Sequence, residues 1–579
     1  MRRILALIAL PLALAGAPAI AAGIAYEVDI EAPPALADAL REGLDIVRWQ
    51  DDPQMSAELL RRLAEEAAAD AREAAAAEGY FSAEVAVSIE ESEAPWRVSL
   101  RVAPGERTRV AAIDIGFRGP AASDPEAGEA LERVRRAWRL RAGAPFRQSD
   151  WDDAKQGAVA ELSAWRYAAA RIASSEARVD PVAREARLSV VLESGPAFRF
   201  GEVRVSGTAR YDPALVENLS PIRPGEDYDR AALLVYQRRL AETGYFASVQ
   251  VAVDTQPEAA AAAPVRVAVL EAPTKHVEGG LSYNTDVGAR LQLRYSDQDL
   301  RDSAWRLRTG FAVDSKIQEL QADLDSPPRR GARWNNFFAR VARTDIQNEV
   351  ARSFALGAAH NFGTDIAPSA AILSWHLEDQ RTGTTLTDSR HAVYVGLRRS
   401  FRSTDDAVNP RAGYFGHVEV GGGLPEASSQ SFLRAVVHAS YLLPQGRRSE
   451  LLLRAQGGVV RADARAGIPT TFLFRTGGDR TVRGYAFESI GVAEGDAIVG
   501  GRRLFVASVE YTHWVSENWG VAAFVDSGDA WEDGERFDPV VGHGLGVRFR
   551  TPIGPARVDI AYGRETRDYR LHLSIGYVF

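Results

Sequence analysis

From about Lys275 to Phe579 the chain alternates apolar and polar side chains, with no helical periodicity in between. In Leu291-Gln292-Leu293-Arg294-Tyr295 the odd positions are apolar or aromatic and the even ones polar. The end of the chain does the same, with Leu571, Leu573, Ile575, Tyr577 and Phe579 set against His572, Ser574 and Gly576. Period two puts successive side chains on opposite faces of a strand. An apolar face repeated along every strand must be buried against a second sheet or turned toward lipid. Alternation alone fits a soluble sandwich as well as a barrel. Three further features select a transmembrane barrel: an export signal, aromatic residues near strand ends, and an aromatic final residue. Residues 274–579 then accommodate about sixteen tilted antiparallel strands, a form that leaves no backbone group unpaired in lipid.

The export signal is read from Arg2 and Arg3, the apolar run Ile4–Leu14 and the small residues ending in Ala19-Ile20-Ala21, which assigns residues 1–21. That run is short for a membrane span. No later stretch is apolar enough for a transmembrane helix, in a chain whose mean hydropathy is −0.20. The 579 residues contain no cysteine, which removes disulfides, thiol nucleophiles and cysteine metal sites. The net charge of −9 is mild and argues against nucleic acid as a partner. The nine histidines show no metal-ligand spacing, and no residue set suits acid–base or nucleophilic catalysis. Gly542, Gly544 and Gly546 lie at period two in a strand, without the helix that a nucleotide loop requires. They read as sites of close packing or bending. The expectation is a chain that is not an enzyme and holds no cofactor or metal.

Between the signal and the barrel a pattern recurs, and a length of this kind calls for several domains. Each unit opens with a short alternating strand: Tyr26–Ile30, Ile113–Ile115 and Val203–Val205. Helical sequence follows, then an aromatic step: Gly79-Tyr80-Phe81, Trp165-Arg166-Tyr167 and Gly244-Tyr245-Phe246. Two strands close the unit, the last being Val98–Val102, Leu188–Val190 and Val265–Val269. In the third unit Leu233, Tyr236 and Leu240 make one apolar helical stripe, with Gly244 as its stop. The aromatics read as core. The units are therefore β-α-α-β-β modules over residues 22–105, 106–196 and 197–273, similar to POTRA (polypeptide-transport-associated) domains. Their open sheet edges offer backbone pairing to a client strand.

Within the barrel, a long polar loop joins the alternating segments Glu450–Ala462 and Arg502–Val515. A loop of this length has a function or a packing partner. It carries Gly477-Gly478-Asp479-Arg480-Thr481-Val482-Arg483-Gly484-Tyr485. If Arg483 is buried, it needs a carboxylate. Glu510 and Asp526 qualify by parity: the odd residues of Phe505–Tyr511 and Val521–Val525 are apolar or small and face lipid, so both acids point inward. The expectation is that the loop folds into the barrel and Arg483 pairs with Asp526 and Glu510.

These residues carry a resemblance. Val482-Arg483-Gly484-Tyr485 is similar to the VRG[FY] loop motif of the outer-membrane insertase and transporter superfamily that includes BamA, TamA and the two-partner secretion transporters. Phe524-Val525-Asp526-Ser527-Gly528 resembles its [FG]xDxG strand motif. Gly544-Leu545-Gly546-Val547-Arg548 followed by Thr551-Pro552-Ile553-Gly554-Pro555 resembles its penultimate hairpin, and Asn409-Pro410-Arg411-Ala412-Gly413-Tyr414 a common turn. The resemblance implies an outer-membrane barrel whose first and last strands pair poorly and open as a lateral gate. Here the first strand lies around Val277–Tyr283, with Gly279 and Gly280 inside it. The terminal signal of the family is met at His572, Tyr577 and Phe579, with Ser574 at the glycine position and Gly576 two residues on. Three modules directly after the signal resemble the TamA-like branch. That implies insertion or secretion of outer-membrane clients such as autotransporters within the lipid bilayer, with a TamB-like inner-membrane-anchored partner docking on modules in the periplasm. The alternative is a two-partner-type transporter that exports a soluble client through its pore.

Overall fold

The computed structural model describes residues 24–383, 385–406, 409–551 and 554–575. The segment read as a secretory signal lies outside them, as do Gly576, Tyr577 and Phe579. The described residues form three small three-stranded sheets with helices, followed by one sheet of 16 antiparallel strands. The chain forms two compact units, and the division between them runs through the third module.

In the first module, Tyr26–Glu31 lies parallel to Trp96–Ala103, and Glu84–Glu90 pairs antiparallel on the other side of that central strand. The helix Ala57–Ala77 starts where Ser56 accepts the Leu59 N–H at 3.2 Å. Its buried stripe of Leu60, Leu63, Ala64, Ala67, Ala71 and Ala75 has helical spacing and seats on Val98, Leu100 and Val102. Small alanines let the helix approach the sheet closely. The same strand order recurs in the second module (Arg109–Arg118, Arg171–Asp180, Glu185–Glu193) and the third (Phe200–Ser206, Phe246–Val253, Ala263–Glu271). Tyr167, Tyr245 and Phe246 of the aromatic steps are buried. Gly79 before the first step has φ +93°, and a Cβ there would lie 2.2 Å from the Phe146 carbonyl oxygen. No other residue fits that position.

The third aromatic step does more than fill a core. The Tyr245 hydroxyl donates to the Ala304 carbonyl at 2.7 Å, and Arg306 donates back to the Thr243 carbonyl at 2.7 Å. Arg239 pairs with Asp365 at 2.8 Å. The end of the helix Arg230–Glu242 is thereby tied to two turns of the large sheet.

The large sheet runs in chain order from Lys275–Asn284 to Asp568–Ile575, each strand antiparallel to the next. Leu291, Leu293, Phe505, Val509, Val521 and Val525 are exposed on its outer face, as a lipid-facing surface requires. No helix of the described residues is long and apolar enough to cross a membrane. Among the described residues, the first strand pairs only with Gly288–Leu300, and the last only with Gly554–Gly563. The sheet closes on itself nonetheless. His572 of the last strand stands 3.6 Å from Asp286 in the turn of the first hairpin.

Candidate functional site

The long loop, residues 462–502, departs from its polar reading. It holds a short ribbon, Val492–Glu494 with Ala497–Val499, and buries Ile468, Phe472, Phe474, Val482, Tyr485 and Ile490. These pack on Tyr394, Phe432, Val436, Val460, Leu504, Val506 and Ala530 from the inner faces of the barrel strands. The loop brings its own apolar face into an otherwise polar lumen. Beside it the lumen remains a polar cavity of about 590 Å³, lined among others by Asp323, Asn336, Arg398, Glu419 and His438.

At the tip of the loop, Arg483 is only 1% exposed. Its Nε and Nη2 donate to the two oxygens of Asp526 at 2.7 and 2.9 Å, and its backbone N–H donates to Asp526 Oδ2 at 3.1 Å. Its Nη1 donates to Glu510 at 2.7 Å and to Asp559 at 3.1 Å. Arg548 completes the cluster, reaching Glu510 at 2.8 Å and Asp559 at 2.5 Å, while Arg454 lies 3.8 Å from Asp526. Three guanidinia thus face three carboxylates, the balance that makes so much buried charge tolerable. The Arg483 guanidinium also lies 3.3 Å from the centre of the Phe524 ring, a cation–π contact out of water.

The backbone here is shaped for close approach. Gly484 has φ +92°, and a Cβ on it would lie 2.7 Å from the Gly563 nitrogen. A Cβ at Gly542 would lie 1.9 Å from the Arg483 carbonyl oxygen, and one at Gly546 1.8 Å from Asp559 Oδ1. The period-two glycines are the floor of the groove in which the motif sits. Tyr485 is buried, with its hydroxyl donating to the Val541 carbonyl at 3.1 Å and bonded to Glu565. The Gly484 N–H donates to His572 Nε2 at 3.1 Å, which brings a residue noted only for the terminal signal into contact with the loop.

Asp559, Arg548 and Phe524 complete the site but were not among the expected partners. Asp559 lies between exposed Val558 and Ile560, so the parity that selects Glu510 and Asp526 selects it too. Gly279 and Gly280 stand apart from this cluster, on a first strand exposed on both faces. They pair with Leu293 and Gln292 of the second strand. Among the described residues no group of three or more His, Asp or Glu is arranged to hold a metal ion.

A model of the Omp85 superfamily domain matches residues 275–579, the barrel with its seated loop. The chain belongs to the Omp85 superfamily. Two modules of this Omp85 chain also match family models: "POTRA domain TamA domain 1" over residues 27–104 and "Surface antigen variable number repeat", a POTRA model, over residues 198–271. The chain is similar to the outer membrane protein assembly factor BamA of Nitratidesulfovibrio vulgaris, at 24% identity over 419 residues. That match covers 66% of this chain and 51% of the relative, so the chain spans about half the length of the curated relative it matches. Among solved structures, BamA from Haemophilus ducreyi lacking POTRA domains 1–3 shares the fold, with a TM-score of 0.56 at 13% identity over 81% of this chain and 98% of that one. This Omp85 protein is therefore an outer-membrane β-barrel whose POTRA modules lie in the periplasm.

Proposed function

We propose that this Omp85 protein assembles client proteins into the outer membrane through a lateral gate between its first and last barrel strands. The observation that carries the reading is the state of the first strand, exposed on both faces and paired on one edge only among the described residues. An unpaired strand edge is a template for another strand. In lipid it lowers the barrier for a client strand that has no other partner for its backbone groups. The periplasmic modules receive the client at their own sheet edges, the seam parts, and the client's first strand takes over the free edge. Hydrogen bonding is exchanged throughout, so client folding supplies the driving force. The seated loop, held by Arg483, keeps the remaining wall of the barrel rigid while the seam moves.

The number of modules and the match of the first one to the TamA domain 1 model support the TamA-like branch. On that reading a TamB-like inner-membrane-anchored protein docks on the periplasmic modules, and autotransporters are among the clients. The test is a pull-down from membranes with the full chain and with a variant lacking Tyr26–Val102. Capture of a large inner-membrane-anchored protein that is lost with the module is the expected result. Absence of any such partner, with export of a soluble client by the truncated form, would move the chain to the two-partner transporters. A disulfide that locks the seam yet leaves client assembly intact would overturn the gate.

A further inference from the structure

Three elements far apart in sequence meet at one carboxylate. Asp286, in the turn of the first hairpin, accepts the backbone N–H of Asp479 at 2.9 Å through Oδ2. Its Oδ1 stands 3.6 Å from His572 Nδ1 on the last strand. His572 is 2% exposed, and its Nε2 accepts the Gly484 N–H at 3.1 Å. Since Nε2 accepts, the ring hydrogen sits on Nδ1 and points toward Asp286. Nδ1 makes no hydrogen bond, its distance to the carboxylate being just too long for one. The loop is shaped for this contact: a Cβ at Gly478 would lie 2.6 Å from Asp286 Oδ2.

We propose that Asp286 and His572 are positioning residues that latch the seam at its hairpin end and make its opening depend on how the loop is seated. Where no described backbone pairing joins first and last strands, side chains do, and both are held by the loop. Gly484, which fixes His572, directly follows Arg483, which is anchored to the opposite carboxylates. A displaced loop therefore releases His572 and Asp286 together. A client strand needs to break the contacts of Asp286 with the last strand, the long one to His572 among them, and leaves the Arg483 cluster in place. This inference rests on the gate reading for its purpose, but not for its geometry.

The chain has no cysteine, so nitroxide labels at Tyr283→Cys and Tyr569→Cys, both on exposed positions flanking the seam, report its width in the full-length protein in nanodiscs. Asp286→Ala and His572→Ala are expected to add a population longer by about one strand spacing, ~4.8 Å, growing roughly three- to tenfold as loss of one such contact does. His572→Gln, which keeps an acceptor for Gly484 and a donor toward Asp286, restores the narrow distribution. Arg483→Ala widens the seam as the latch variants do. Heat-modifiable migration on gels selects the folded proteins. An unchanged distance in both alanine variants overturns the latch, and a closed seam in Arg483→Ala overturns its dependence on the loop. Refolding of a small β-barrel from urea into vesicles holding each variant separates the two ideas. A seam that widens while insertion proceeds at the native rate supports the latch and sinks the gate.

Discussion

Replacing Arg483 with alanine tests the seated loop most directly, and the structure says where the cost falls. Without Arg483, Glu510 and Asp559 keep Arg548 at 2.8 and 2.5 Å. Asp526 keeps the backbone N–H of residue 483 at 3.1 Å but loses the bidentate cation, and Arg454 stands 3.8 Å away; Asp526 is fully buried. Breaking a buried pair so as to strand one charge costs about 3–5 kcal/mol. That shifts the loop's opening equilibrium by about two to four orders of magnitude. The assay is hydrogen exchange of the amides from Gly477 to Tyr485 in the full-length protein in nanodiscs. Exchange is expected to accelerate by about a hundredfold or more, while the strands Trp334–Ile346 and Glu349–Thr364, away from both loop tip and seam, are unchanged. In the double variant Arg483→Ala, Asp526→Asn the stranded charge is gone, so the cost falls below the sum of the two single changes by about 2 kcal/mol. Protection within tenfold of the native loop in Arg483→Ala, or strict additivity in the double variant, would refute the charge-balance reasoning.

Gly542→Ala and Gly546→Ala force a Cβ against Arg483 and Asp559, and both should unseat the loop and lower the temperature of heat-modifiable migration, whereas Gly280→Ala, with no atom within 4 Å of the new Cβ, should not. Tyr245→Phe keeps the buried ring and loses the 2.7 Å bond to the Ala304 carbonyl; a loss of about 1 kcal/mol is expected, read as faster exchange at the turn 301–304, and Tyr245→Ala should cost about 3–5 kcal/mol. The Tyr167 hydroxyl, with the Glu126 N–H, holds the Asp124 carboxyl below the usual carboxylate range. Its contribution is present above the unfolded-state value of about 3.9 and is lost as pH falls through the lower folded value. Protection of the turn 120–127, taken relative to the intrinsic exchange rate at each pH, should therefore fall on acidification in the native protein, with a flatter profile in Asp124→Asn.

How much of this could be read from residues alone depended on whether a signal was local. Strand parity is local, and it put Glu510 and Asp526 inside; the structure finds both on the inner face against Arg483. The same parity was available for Asp559, but nothing near Val558-Asp559-Ile560 indicates that a loop some seventy positions earlier would reach it. The loop is legible only at its tip. The sequence reads as a polar segment that folds inward through Arg483, while Phe472, Phe474, Val482 and Ile490 have no sustained helical or strand period to mark a buried face. Only the concave barrel wall of Tyr394, Phe432 and Leu504 makes them a core. Tyr245 was legible as a core aromatic, but its hydroxyl partner depends on a turn brought near by the fold.

The glycines show why residue type alone does not separate rigid from yielding parts of this barrel. At Gly484, Gly542 and Gly546 a side chain would meet other atoms at 1.8–2.7 Å, so packing of the loop demands glycine there. At Gly279 the only neighbour of an added Cβ is Leu293, at an ordinary 3.6 Å, and at Gly280 there is none. Neither has the positive φ that would require glycine. Packing does not explain those two residues, and each weakens its strand by about 0.5–1 kcal/mol relative to alanine. The weakness falls on the first strand, exposed on both faces, while the demanded glycines fall where arginines and carboxylates lock the loop. If the seam is where clients enter, a Gly279→Ala, Gly280→Ala variant should be more stable than the native barrel and slower at its work.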